Sequence, residues 1–225
     1  MEIVLLHTVR SVMENFEKML KDRIPDIEVH NVLDEYIVKS VTRHGGYAEE
    51  DVQRLAALLK LAEGTGADRI IATCSTLSMQ IDALRERIGK PVMKIDEPML
   101  VKAVELGGRI TVMATAQSTL GPTMEQLGRI ARHLGKKVEV GTVHVENALD
   151  RLRENDKDGH DRLVLEAFEK LDDPDVVVLA QASMAHMKEI LEGMGDRPVL
   201  ASPQMLIEHL ADLMEGEKND ASGTE

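Results

Sequence analysis

The chain contains Arg69-Ile70-Ile71-Ala72-Thr73-Cys74-Ser75-Thr76 and, further on, Val176-Val177-Val178-Leu179-Ala180-Gln181-Ala182-Ser183-Met184. Each stretch is an apolar run that ends in small or polar residues and leads into a helical pattern. Aligning the small residues of the two stretches pairs Cys74, the single cysteine, with Ala182. A strand that leads into a helix, found twice in one chain, predicts a duplicated α/β fold.

A second pair of matching stretches lies upstream of the first. Ile3–Ser11 is echoed by Ile110–Ser118, so that Thr8 and Thr115 stand 107 positions apart. A repeat of this length is too long for a solenoid unit, which spans roughly 20 to 50 residues. The sequence therefore predicts two pseudo-symmetric α/β lobes.

Each lobe is predicted to contain a four-stranded parallel sheet flanked by helices, because short apolar runs alternate with longer helical patterns. Residues 48–63 show such a pattern, with Val52, Leu55 and Ala62 on one face and charges opposite. The predicted strands are Glu2–Leu6, Ile27–Leu33, Arg69–Thr73, Pro91–Ile95, Arg109–Met113, Lys137–Val143, Asp175–Leu179 and Pro198–Ala201.

The same patterns predict the domain boundaries. We expect residues 1–96 to form the first lobe and residues 97–202 the second. A helix over residues 203–215 is expected to return to the first lobe. Residues 216–225 are polar, and we expect them to form a disordered tail.

Small hydroxylated residues follow the strands in both predicted lobes. Ligands of parallel sheets bind beyond the carboxyl ends of the strands, where helix amino termini favour anions. We therefore expect a small carboxylate in an active-site cleft between the lobes, although Ser and Thr are also ordinary helix caps. The candidate ligand-binding residues are Thr8, Ser11, Ser75, Thr76, Thr115, Ser118 and Ser183, together with Ala182 on the second turn.

Composition excludes several other classes of function. A net charge of −13 without a basic patch argues against a nucleic-acid partner. No apolar run approaches membrane-spanning length, and a single cysteine suits a reducing cytoplasm. No strand leads into a glycine-rich phosphate fingerprint, so we expect no nucleotide cofactor. The eight histidines show no convincing metal-ligand spacing, so the sequence predicts no metal site.

Cys74 has two interpretations. It follows a predicted buried strand and precedes a helix, where the helix dipole favours a thiolate that can transfer a proton or attack a substrate. Free cysteine is also among the most buried residue types and often fills apolar space. Its place in a Cys-Ser-Thr turn favours the functional interpretation.

The motif Thr73-Cys74-Ser75-Thr76, together with the duplicated element order over residues 1–214, resembles the aspartate/glutamate/hydantoin racemase superfamily. The resemblance implies a cofactor-independent enzyme, and a homodimer. It implies that a cysteine from each half flanks the carbon next to a carboxylate, one removing a proton and the other delivering one. The turn residues of the two halves would hold the carboxylate.

The chain departs from that pattern at two positions. On the pairing above, Ala182 replaces the second cysteine, and a methyl group carries no proton. His7 replaces an acidic residue that often follows the first strand in glutamate racemases, and its ordinary titration range suits proton exchange at neutral pH. His7 is thus the best candidate for a second titrating group, unless it only forms hydrogen bonds at the strand end.

The resemblance leaves several reactions open for a site with one thiol. Arylmalonate decarboxylases of the same superfamily keep one cysteine, in the second half, and use it to protonate a carbanion. Decarboxylation, or cis-trans isomerisation through a thiol adduct, would suit one cysteine better than free racemisation. A member that binds a small acid without catalysis is the alternative from another class.

Overall fold

The computed structural model describes residues 1–222, with side chains described as far as Glu217. The chain divides into two compact units. Unit 1 comprises Met1–Ile95 together with the chain from Leu206 onward, and unit 2 comprises Asp96–Met205. None of the described helices is both long and apolar enough to cross a bilayer.

Unit 1 contains a four-stranded parallel sheet in the order β2-β1-β3-β4. The strands are short and rich in Val, Ile and Leu, as in parallel sheets that are covered on both faces. In chain order its elements are β1 (Glu2–His7), α1 (Arg10–Arg23), β2 (Glu28–Leu33), α2 (Glu35–His44), α3 (Glu49–Glu63), β3 (Arg69–Ala72), α4 (Ser78–Leu84) and β4 (Val92–Lys94). One apolar layer includes Leu55 and Leu59 of α3, the helix that the sequence pattern predicted.

Unit 2 repeats this topology in the order β6-β5-β7-β8, again all parallel. Its elements are α5 (Glu97–Leu106), β5 (Arg109–Ala114), α6 (Gln117–His133), β6 (Glu139–His144), α7 (Ala148–Arg153), α8 (Lys157–Glu169), β7 (Val176–Leu179), α9 (Lys188–Glu192) and β8 (Val199–Ala201), followed by the start of α10 (Ser202–Ser222). The predicted α/β class with two four-stranded parallel sheets flanked by helices is confirmed.

The last helix, α10, packs on unit 1 from Leu206 onward. Leu206 and Leu210 are fully buried against Ile3 and Leu5 of the central strand β1. The helix continues to Ser222, and Glu217 forms an ion pair with Arg69. The expectation of a disordered tail from residue 216 is therefore corrected for residues 216–222, because the helix that packs on unit 1 continues through them. Residues 223–225 lie outside the described part of the chain.

Candidate active site

Cys74 lies in the turn between β3 and the 3-10 helix Ser75–Leu77, and it is half-buried. The phenol of Tyr47 donates a hydrogen bond to the Thr76 carbonyl at 2.8 Å. Burial raises the pKa of Tyr47, and the nearby Cys74 and Asp51 raise it further, so the phenol stays protonated as a donor. Tyr47 thus fixes one side of the cysteine turn.

His7 fixes the other side of this turn. It is the last residue of β1 and is fully buried. Its Nδ1 lies 2.7 Å from the hydroxyl of Thr73, the residue that directly precedes Cys74. Its Nε2 lies 3.0 Å from Asn31 Oδ1, and Asn31 Nδ2 donates to Glu17 Oε2 at 2.5 Å. Four side chains, from β1, β2, α1 and the turn after β3, are therefore linked in one chain of hydrogen bonds.

The tautomer of His7 follows from this chain. The hydrogen bond from Lys21 holds the pKa of Glu17 below its ordinary value, so Glu17 is a carboxylate and must receive the NH₂ group of Asn31. The carbonyl of Asn31 then faces His7, whose Nε2 carries the proton. Nδ1 accepts from the Thr73 hydroxyl at 2.7 Å, in preference to the Leu6 carbonyl oxygen, which lies 3.1 Å from the same hydroxyl. Burial lowers the pKa of His7 despite opposing contributions from Asn31 and Glu17, which keeps the ring neutral at pH 7.

In unit 2 the corresponding turn contains Gln181. Its Oε1 accepts three hydrogen bonds, from the Thr115 amide at 2.6 Å, the Thr115 hydroxyl at 3.0 Å and the Ala116 amide at 3.0 Å. These donors converge on a single oxygen. Gln181 itself is the residue before the 3-10 helix Ala182–Met187.

Backbone geometry corrects the pairing of Cys74 with Ala182. Cys74 and Gln181 each precede their 3-10 helix with nearly the same extended backbone, at φ −132° and −135°. Both turns are closed by the same two hydrogen bonds of 3.0 Å, Thr73 to Leu6 and Leu77 to Cys74 in unit 1, and Ala180 to Met113 and Met184 to Gln181 in unit 2. The counterpart of Cys74 is therefore Gln181, at the same offset of 107 that relates Thr8 to Thr115.

The sequence alignment slipped by one position because it matched the letters Cys-Ser with Ala-Ser. Strand register does not allow that shift, since moving a strand by one residue reverses which face every side chain occupies. The prediction that the second turn lacks a proton carrier stays a prediction and now concerns Gln181. A neutral amide is no more able to exchange a proton than a methyl group.

The two halves differ in their titratable groups. His7 ends β1, and Ala114 ends β5 at the matching position. Cys74 is likewise matched by Gln181. Unit 1 therefore contains both titratable residues of the candidate site, and unit 2 has neutral residues at both equivalent positions.

The remaining predicted residues fall into three groups by their exposure. Thr8 is buried, and its hydroxyl has no hydrogen-bond partner within the described residues. Ser75, Thr76 and Ala182 are half-buried on the two turns, whereas Ser11, Ser118 and Ser183 are exposed. No local sequence pattern reveals the roles of Thr73, Asn31 and Gln181, because their partners lie on other elements, distant in the chain.

Comparison with known proteins agrees with this architecture. The sequence model of the Asp/Glu/Hydantoin racemase family matches residues 3–210. No curated protein sequence matches the chain significantly. Among solved structures, a glutamate racemase from Bacillus anthracis is similar with a TM-score of 0.72 at 16% identity, over 96% of this chain and 82% of that one.

Two further solved structures share the fold. An aspartate racemase from Picrophilus torridus gives a TM-score of 0.70 at 13% identity, over 94% of this chain and 93% of its own. An allantoin racemase from Pseudomonas fluorescens gives a TM-score of 0.65 at 17% identity, over 96% of this chain and 91% of that one. Identities this low establish a shared fold alone, whereas the family match covers nearly the whole sequence. The chain belongs to the Asp/Glu/hydantoin racemase family.

Proposed function

We propose that this protein is a cofactor-independent enzyme that transfers a proton at the carbon next to a carboxylate of a small acid, with Cys74 as the acid or base. The observation that carries the proposal is the environment of the thiol. Cys74 is half-buried at the carboxyl end of β3, between Thr73, which His7 contacts, and Thr76, which Tyr47 holds. A cysteine that only fills apolar space does not require hydrogen bonds that fix the chain on both sides of it, as those to Thr73 and Thr76 do.

The Gln181 contacts support a site for a substrate oxygen in unit 1. In unit 2, an amide oxygen occupies the point where Thr115 and Ala116 donate three hydrogen bonds. The matching residue of unit 1 is Cys74, whose side chain is shorter and ends in sulfur, a weak acceptor. The hydroxyl of Thr8, equivalent to that of Thr115, has no partner in the described structure. We propose that, at the equivalent point of unit 1, a substrate carboxylate oxygen accepts a hydrogen bond from Thr8 beside the thiol.

In this proposal His7 is a positioning residue. The sequence suggested it as a second proton carrier, but it is fully buried, and both its ring nitrogens already contact Thr73 and Asn31. Its neutral ring accepts from Thr73 and so orients the residue before Cys74. Ser75 and Thr76 are the further candidates for substrate contacts, because they are half-buried on the same turn.

The asymmetry between the halves favours proton transfer to one face of the substrate carbon. A symmetric relay needs a titratable group for each face, and Gln181 supplies none. Loss of CO₂ followed by protonation requires only one such group. A decarboxylase of the arylmalonate type is therefore the second candidate function.

Deuterium exchange tests the proposal. Both enantiomers of aspartate and glutamate, and 2-substituted malonates, would be incubated with the protein in D₂O and followed by NMR. We expect deuterium to enter at the carbon next to the carboxylate without rapid interconversion of enantiomers, or CO₂ release that gives one product enantiomer. Cys74→Ser should reduce the rate by about 10²- to 10⁴-fold.

The thermal midpoint of Cys74→Ser separates catalysis from packing. A change from thiol to hydroxyl in a polar site leaves no cavity, so the midpoint should stay near that of the native protein. If the thiol is only a buried filler, the added hydroxyl should destabilise the fold by about 1–3 kcal/mol and leave the activity intact. Saturable binding of the acids without any exchange would instead support a non-catalytic binding protein.

Three further features belong to the same proposal. The enzyme is proposed to act without a cofactor, as a homodimer, and in the reducing cytoplasm that suits its one unpaired cysteine. Light scattering coupled to size-exclusion chromatography would measure the oligomeric state.

A further inference from the structure

A cluster outside the proposed active site brings together His160, Asp161 and His186 in unit 2. One ligand atom from each residue lies within 4.8 Å of the other two. The shared centre is Asp161 Oδ1, which lies 2.7 Å from His160 Nδ1 and 2.8 Å from His186 Nε2. His160 and Asp161 are neighbours on α8, whereas His186 comes from the 3-10 helix Ala182–Met187.

We propose that these three side chains bind a divalent transition-metal ion of the Zn²⁺ class. Two imidazoles and one carboxylate are a donor set that suits Zn²⁺ and the similar ions Co²⁺ and Ni²⁺. Three protein ligands leave the fourth tetrahedral position to water.

The ligand atoms must rearrange to accept the ion. Ligands about 2.0 Å from a tetrahedral ion lie roughly 3.3 Å apart, so each nitrogen must separate from the carboxylate oxygen by roughly half an ångström. The two nitrogens, which lie within 4.8 Å of one another, must come to that same separation. His160 is fully buried, so the movement falls to the side chains of Asp161 and His186, which are 22% and 32% exposed. Nε2 of His160 has no partner within the described residues, so Nδ1 is the ring nitrogen with polar surroundings.

The placement of the carboxylate also fits a cation. The side chain of Asp161 is 22% exposed, and both imidazoles face its Oδ1. Each histidine can offer a ring nitrogen lone pair once that nitrogen is deprotonated.

The position of the cluster gives the ion a role. An ion here would join α8 to the 3-10 helix that begins directly after Gln181. It would therefore hold in place the turn of Gln181, whose side-chain oxygen accepts hydrogen bonds from Thr115 and Ala116. The role is structural and does not depend on the reaction proposed above.

The test is a metal titration of the full-length protein. Zn²⁺ binding would be followed by calorimetry and Co²⁺ binding by its visible absorption, since imidazole and carboxylate ligands give Co²⁺ a characteristic spectrum. We expect one equivalent bound by the native protein, with a higher thermal midpoint in its presence. Cys74→Ser should bind equally well, which excludes the thiol as the ligand.

Three variants locate the site. His186→Ala and Asp161→Asn should weaken binding by about 10- to 100-fold or more, because removing even an outer-sphere partner of a metal site has an effect of that size. His30→Ala is the matched control. His30 also contacts a carboxylate, that of Glu2 at 2.8 Å, but no second histidine joins that pair among the described residues. The His30→Ala variant should therefore bind the metal as the native protein does. Circular dichroism would verify that each variant is folded. Failure of the native protein to bind one equivalent at micromolar Zn²⁺, or native affinity in either His186→Ala or Asp161→Asn, would overturn the proposal.

Discussion

The buried His7 is one of two titratable residues by which the two halves of this molecule differ at equivalent positions. His7 connects Thr73 to the Asn31–Glu17 pair, whereas the equivalent Ala114 forms no side-chain hydrogen bond at all. Because the ring is fully buried, its environment decides its charge. Burial lowers the pKa of His7 below the ordinary 6.5, and this has a measurable consequence for stability.

The stability of the protein should fall as the pH drops below about 6.5. In the unfolded chain His7 takes up a proton near its ordinary pKa, but in the folded chain it stays neutral to lower pH. The unfolded state then binds more protons, so the free energy of unfolding decreases by up to about 1.4 kcal/mol per pH unit for this one group. Above the ordinary pKa the group contributes no slope.

Urea unfolding between pH 5 and 7.5 would measure this slope in the native protein and in His7→Asn, whose side chain does not titrate. We expect a smaller pH dependence in the variant, whatever its stability at neutral pH. An equal slope in both proteins would contradict the assignment of the effect to His7.

At the scale of elements, the turn after β3 depends on a contact with the loop between α2 and α3. Tyr47 lies in that loop, and its hydroxyl is the donor that satisfies the Thr76 carbonyl. Tyr36, the other tyrosine, is exposed under the guanidinium of Arg54 and serves as an internal comparison.

Removing the Tyr47 hydroxyl should therefore affect both stability and catalysis. Tyr47→Phe loses a hydrogen bond and leaves the Thr76 carbonyl without its donor, which should lower the free energy of unfolding by about 1–2 kcal/mol. The loosened turn should also slow exchange by displacing Cys74. Tyr36→Phe keeps its ring beside Arg54 and should match the native protein in urea unfolding and in the exchange rate. Equal behaviour of the two variants would show that Tyr47 does not position the turn.

In the molecule as a whole, the two halves share the same backbone arrangement but carry different side chains at the equivalent functional positions. Both halves have the same strand order, the same register and the same turn-closing hydrogen bonds. The half without a thiol uses Gln181 to occupy its own donors. The donors of Thr115 and Ala116 are therefore satisfied within unit 2 itself.

Gln181→Cys should free these donors. It removes the oxygen that accepts hydrogen bonds from Thr115 and Ala116, and it supplies a thiol at the position equivalent to Cys74. If the two halves act on opposite faces of one substrate carbon, as the resemblance implies, interconversion of enantiomers should increase by about 10²- to 10⁴-fold. Chiral chromatography of aspartate and glutamate incubated with the variant would measure it.

Two variants control this experiment. Ala182→Cys places the thiol one residue further on, where the strand register predicts little gain. Gln181→Ala frees the donors without adding a titratable group, so it should not increase interconversion. Activity from Ala182→Cys but not from Gln181→Cys would mean that the register assigned here does not describe the working site.

The duplicated α/β fold could be predicted from the sequence, because apolar runs, helical periodicity and repeat length are patterns that need no knowledge of contacts. The sequence also singled out Cys74 as a candidate, since it is a lone thiol that follows an apolar run. The folded structure was needed to show that Gln181 matches Cys74, that His7 is enclosed by Thr73 and Asn31, and that His160, Asp161 and His186 form one cluster. The contacts of His7 and of His186 join residues at least 24 positions apart, so no local pattern reveals them. The match of Gln181 to Cys74 depends on a strand register that a shift of one letter conceals.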